Sequence, residues 1–114
     1  MENDWTREHR IRQRGSDLIM ATIAHVADGG LVPSEVFLHQ GGFVSVMFSG
    51  DEMSEVQYVA SEDKYLVLQQ YLVSVQTYNF PAEYDWEELD SFDNADEAIA
   101  EAIMRTKTIE PYEE

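Results

Sequence analysis

The chain reads as an α+β fold: a small antiparallel β-sheet flanked by an N-terminal helix and C-terminal helices, in a single domain spanning residues 1–114. Three patterns carry that reading. SDLIMATIAHVADGG, from Ser16, repeats apolar residues at helical spacing and stops at paired glycines; FVSVMF and EVQYVA flank a turn; DNADEAIAEAIM opens on a cap and returns to helical spacing. A chain of 114 residues with 44% hydrophobic residues can bury one core, and no repeat, low-complexity tract or linker divides it.

Residues 1–15 form a basic segment. TREHRIRQRG holds Arg7, Arg10, Arg12 and Arg14, four of the seven Lys and Arg in the chain. As a helix it sets Arg7, Arg10 and Arg14 on one face and pairs Glu8 with Arg12 at i, i+4. Gly15 is expected to weaken the helix, and Ser16 with Asp17 to restart it as N-cap and acidic first turn. The restarted helix aligns Leu18, Ile19, Ile23 and Val26 and ends at Gly29 and Gly30. Beyond Pro33, residues 43–48 and 55–60 are rich in β-branched and aromatic residues, which predicts an antiparallel hairpin around SGDEMS.

SEDKYLVLQQYLVSVQTYNF fits two periods. Ser61, Glu62 and Asp63 make a helix start, and Leu68, Tyr71, Leu72 and Val75 share a helical face; Val67, Val73 and Val75 also suit a strand. Helix is preferred. After Pro81, the run Asp85, Trp86, Glu87, Glu88 and Leu89 reads as one helical turn. The last helix starts from Asp93 or Asn94 and carries Ala98, Ile99, Ala102 and Ile103, with Arg105 and Lys107 placed to favour its C-terminal end. Residues 107–114 read as a frayed tail.

Charge is the most informative property. With 23 Asp and Glu against seven Lys and Arg the formal charge is −16, well beyond the magnitude of about 2 to 8 usual for a small domain. Between Gly15 and Met104 the only base is Lys64. A cationic partner is therefore expected, and neither bare nucleic acid nor an anionic membrane. The N-terminal sequence has no basic start followed by an apolar stretch, and no apolar run approaches the ~20 residues of a membrane helix, so a cytoplasmic protein is expected.

Catalytic and cofactor chemistry find no support in the residues. There is no cysteine. His9, His25 and His39 lack the spacing of a ligand set or a HExxH pair. Gly29–Gly30 and Gly41–Gly42 do not extend to a phosphate-binding loop and read as turn glycines. DSFDNADEAIAE has Phe92 where an EF-hand needs a ligand and no glycine at its sharp turn. No catalytic residue, metal or cofactor is expected.

What remains is EYDWEELDSFDNADEAIAE, with nine carboxylates and no base. The partner-binding surface is expected at Glu83, Tyr84, Asp85, Trp86, Glu87, Glu88, Asp90, Asp93, Asp96 and Glu97. Tyr84 and Trp86 would be anchors within an acidic rim. If largely helical, the run spreads its charge over roughly 28 Å, about one per 3 Å, close to the ~3.4 Å phosphate rise of a B-DNA strand. Asp51, Glu52, Glu55, Glu62 and Asp63 would add a second row if their loops converge.

The function expected from this layout is non-enzymatic inhibition: docking on the basic nucleic-acid-binding surface of a nuclease or defence complex, as an anti-restriction or anti-CRISPR-like antagonist. An immunity protein neutralising a cognate nuclease toxin is the near alternative. A small carboxylate-based enzyme, a metal-binding module and an acidic subunit or chaperone for a basic partner are others. The arginines of residues 7–14 are expected on an exposed helix, or in contact with the target or with a second copy in a homodimer.

Overall fold

The computed structural model describes residues 2–50 and 52–106. Helix α1 (Asp4–Ala27) leads into strands β1 (Glu35–Leu38), β2 (Val44–Ser49), β3 (Met53–Val59), β4 (Lys64–Ser74) and β5 (Glu83–Phe92), and helix α2 (Ala95–Thr106) closes the chain. The five strands form one antiparallel sheet in the order β1-β2-β3-β4-β5, so each pairs with its neighbours in sequence. The α+β class is as the sequence predicts. Lys107, the tail 107–114 and Asp51 lie outside the described residues.

Helix α1 is continuous, which corrects the expected break at Gly15. Its N-cap is Asn3, whose Oδ1 accepts from the Thr6 backbone N–H at 2.7 Å. Gly15 is buried mid-helix: a Cβ there would stand 2.9 Å from Val44 Cγ2 and 3.2 Å from the Gly42 carbonyl oxygen. The glycine serves close approach of helix to sheet, not termination. The stop is where the paired glycines place it, with Gly29 at φ +86° and the Gly30 N–H donating to the His25 carbonyl at 2.7 Å.

The buried stripe of α1 is Ile11, Gly15, Leu18, Ala21 and Thr22. Leu18 belongs to it as expected, but Ile23 is exposed and Val26 half-buried. Both instead line an apolar groove with Ile19, Pro33 and Val36 beside edge strand β1. The small Ala21 and Thr22 face the core because the helix lies close on the sheet; Thr22 Oγ1 donates back to the Leu18 carbonyl at 2.7 Å.

The expected hairpin is β2–β3, in register from Ser45↔Gln57 to Ser49↔Met53. Its inward side chains Val46, Phe48 and Val56 are fully buried with Leu18, Val67 and Ile99, each contributing about 1.5–3 kcal/mol on burial. Two segments preferred as helix are strands. Residues 64–74 form β4, because Tyr65 and Val67 alternate into the core beneath the helices while the backbone completes the ladder left open by β3. Residues 83–92 form β5 against β4, with register shifts at Val67/Leu68 and Leu72/Ser74. Strand β1 was not anticipated at all. Helix α2 matches its expected stripe, with Ala98, Ile99 and Ala102 buried. Its cap is Asn94, whose Oδ1 accepts from the Glu97 N–H at 2.8 Å while its amide donates to Glu97 Oε1 at 3.1 Å.

Gly15→Val tests the close helix–sheet contact. The added branches meet Val44 and the Gly42 carbonyl, so the urea midpoint is expected to fall by the equivalent of about 1–3 kcal/mol. An unchanged midpoint would mean that α1 does not lie this close to β2.

Candidate partner-binding surface

The last pair between β3 and β4 is Ser54↔Gln69, and Gln69 Nε2 donates to the Arg105 carbonyl near the end of α2 at 2.9 Å. Beyond that point β4 and β5 have no third strand and no helix above them among the described residues. Residues 70–74 pair with residues 83–86 alone, with a register irregularity between Leu72 and Ser74. The tip is closed by the Thr77 N–H donating to the Phe80 carbonyl at 2.8 Å and the Phe80 N–H donating to Thr77 Oγ1 at 3.1 Å. Tyr78 and Asn79 form its apex. The result is a two-stranded arm projecting from the sheet.

Antiparallel partners share a sheet face. Tyr84 opposite Leu72, Trp86 opposite Gln70 and Glu88 opposite Leu68 stand on the face that neither α1 nor α2 covers. Asp85 opposite Tyr71 and Glu87 opposite Gln69 stand on the helix side, level with and beyond the end of α2. Asp90 lies at the bulge opposite Val67, and Glu83 lies opposite Ser74. The strand thus divides the acids that a helical reading places in one row. At ~3.3 Å per residue, same-face acids stand about 7 Å apart, so the match to a duplex phosphate row fails.

The two rings differ in exposure. Tyr84 is 58% exposed and Trp86 half-buried. The arm also carries apolar side chains that the sequence reading missed: Tyr71, Leu72, Val73 and Val75 are exposed, Phe80 is 69% exposed and Tyr78 wholly so at 101%. Assigning residues 61–80 to a helix put Tyr71, Leu72 and Val75 on a buried face. The available signal was the β-branched Val67, Val73 and Val75 just ahead of a turn-like Tyr-Asn-Phe-Pro.

Asp93, Asp96 and Glu97 sit apart, at the start of α2. Asp93 accepts from Lys64 Nζ at 2.8 Å, Glu97 belongs to the cap, and Asp96 lines a groove with Arg14, Asp17 and Tyr65. The second acidic row does not form either. Glu52 and Glu62 flank opposite ends of β3, Glu55 lies on the strand between them, and Asp63 is engaged internally.

That internal site accounts for two of the N-terminal arginines. Arg10 donates to the Tyr58 hydroxyl, to the Ala60 carbonyl at 3.2 Å and to Glu2 at 2.7 Å; Arg14 Nε stands 3.3 Å from Asp63 Oδ1. The Tyr58 hydroxyl donates to Asp63 Oδ1 at 2.6 Å. Asp63 turns the chain between β3 and β4 at φ +51°, a left-handed conformation that aspartate tolerates. The Tyr58 hydrogen bond, followed by Arg14 and Arg10, holds its carboxyl below the usual range. Burial pushes the Tyr65 hydroxyl up to about 12, and it donates to the Arg14 carbonyl at 2.9 Å. The arginines expected on an exposed face thus clamp α1 to the β3–β4 turn. Glu8 and Arg12 form no ion pair among the described residues.

Among the described residues no three His, Asp or Glu are grouped to hold a metal. His39 Nε2 lies 2.8 Å from Ser45 Oγ, the atom pairing of a base and its nucleophile. Ser45 is only 1% exposed, so the contact joins β2 to the segment after β1 without presenting a hydroxyl to substrate. None of Glu83, Asp85, Glu87, Glu88 and Asp90 has a basic partner within 4.0 Å among the described residues. No helix among the described residues is long and apolar enough to cross a membrane.

Asp63→Asn keeps the turn and one acceptor but removes the charge. It is expected to be less stable than wild type at neutral pH by up to about 1 kcal/mol, given the exposure of the pair. The folded-state pKa of Asp63 is depressed, so its contribution is present above the unfolded value and lost as pH falls through the folded one. The gap between the two proteins should therefore close below about pH 4 in thermal unfolding; a constant gap would contradict the ionic role. The chain matches no protein-family model, no curated protein and no solved structure.

Proposed function

We propose that the protein is a non-enzymatic inhibitor that docks on the basic surface by which a nuclease or nucleic-acid-binding defence complex holds its substrate. The observation that carries the reading is the strand β5. Five carboxylates stand along it without a basic partner among the described residues, interleaved with the rings of Tyr84 and Trp86. Like charges gathered on one strand repel each other and weaken the isolated fold. A cationic surface relieves that repulsion on contact and accelerates encounter, while apolar side chains supply the short-range part of the affinity.

Strand geometry alters the form of the mimicry. The charge is divided between two faces of a thin element, so the match is to the sign and placement of charge in a groove and not to a linear row of phosphates. Neutralisation of a toxin nuclease by an immunity protein would use the same surface and the same physics, with a cognate partner in place of a defence complex.

Binding to a basic nuclease should weaken by at least about tenfold between ~50 and ~200 mM salt, because screening shortens over that range. Reversing Asp85, Glu87, Glu88 and Asp90 to Lys should reduce affinity more than reversing Glu8 of α1 and its C-cap Asp28, as read by titration calorimetry. Equal losses would reduce the effect to general charge, and tight binding with a flat salt dependence would remove electrostatic docking altogether.

A further inference from the structure

We propose that the β4–β5 arm enters a groove built for a single nucleic-acid strand, with Tyr78, Phe80 and Tyr84 occupying the places of unstacked bases and Glu83, Asp85 and Glu87 those of phosphates. This rests on the inhibitory reading above and narrows its target. A protein that grips duplex DNA meets a rod with its bases stacked inside and its phosphates outside, so exposed rings on a mimic have no counterpart there. A single-strand groove combines basic walls with aromatic or apolar platforms on which successive bases lie. The arm has that combination in one element. Tyr78 projects from the two-residue apex, Phe80 and Tyr84 follow at 69% and 58% exposure, and from Glu83 onward acids alternate with Tyr84 and Trp86 along β5.

Two further features select this occupant over others. From Tyr65 to Met104 the chain contains no Lys or Arg, and the charges on the arm are the carboxylates of β5, so a second copy with its own β5 placed against them is repelled. The β5 edge is also closed to an added strand. Asp85 Oδ1 accepts from the Trp86 N–H and Asp90 Oδ1 from the Ser91 N–H, each at 2.8 Å, and the bulge interrupts the edge between them. The arm therefore offers side chains to its partner and withholds backbone at these positions.

The test uses the full chain, immobilised, and a panel of purified basic nucleases divided between those acting on single strands and those acting on duplex DNA. Expected is retention of a single-strand enzyme, its release by a short single strand but not by the matching duplex, and about tenfold or greater weakening in Tyr78→Ala/Phe80→Ala. Tyr78→Phe/Phe80→Tyr, which keeps the rings, should bind as wild type, and both variants should keep the wild-type unfolding midpoint because the side chains are exposed. Equal release by duplex, or undiminished binding by the alanine variant, would overturn the arm proposal while leaving acidic docking in place. Self-association that the alanine variant abolishes would overturn it in favour of a second copy. Retention of no basic nuclease at low salt would overturn both readings.

Discussion

Two helices cover one face of the sheet only as far as they reach, and most of the molecule's surface chemistry depends on that limit. Helix α2 begins just after β5, packs back along β3 and β4, and ends at Thr106, one residue past Arg105, whose carbonyl meets Gln69. Up to that line, β4 alternates buried Tyr65 and Val67 with half-buried Leu66 and Leu68. Past it the same strand continues with no helix above it among the described residues, and Tyr71 and Val73 on that side are exposed. A two-stranded hairpin is at best marginal by itself; this one persists as the extension of strands whose other ends are locked into a five-stranded sheet.

Electrostatics divides the molecule along the same line. Arg10 and Arg14 are spent where α1 meets the β3–β4 turn, compensating Glu2, Asp17 and Asp63; Lys64 compensates Asp93 and Arg105 compensates Glu101. These exposed or half-exposed pairs each add little stability alone, but Asp63 combines several partners at one left-handed turn residue. These four bases lie with the helix-packed half. The arm keeps its negative charge, and its apolar rings remain in water, forgoing about 25 cal/mol per Å² of the burial that the core obtains. Both costs fall on the same element, which is the physical argument for a partner there.

Much of this was legible before folding. The two helices, the β2–β3 hairpin, the stop at Gly29 and Gly30 and the cap at Asn94 follow from short-range rules, because capping groups and alternating side chains act within a few residues. The misreadings share one cause. Gly15 reads locally as a helix breaker, yet its role is set by Val44 and Gly42, which lie far along the chain. Residues 64–74 satisfy a helical period by coincidence, and β3 decides otherwise by presenting an unpaired edge. Residues 83–92 are too acidic to read as a strand, and pairing with β4 overrides their propensity.

For the candidate surface the division is equally clear. By itself the sequence determined the sign and concentration of charge, the absence of Lys and Arg from Tyr65 to Met104, and the presence of Tyr84 and Trp86 among the acids, since composition does not depend on conformation. Only the tertiary structure decided that these acids fall on two faces of a strand, that two of the N-terminal arginines turn inward, and that Tyr78 and Phe80 stand at the end of an arm. The reason is that a side chain's direction is set by the period of its element, 3.6 in a helix and 2 in a strand. That period was settled by pairing between strands, which no local stretch of the chain contains.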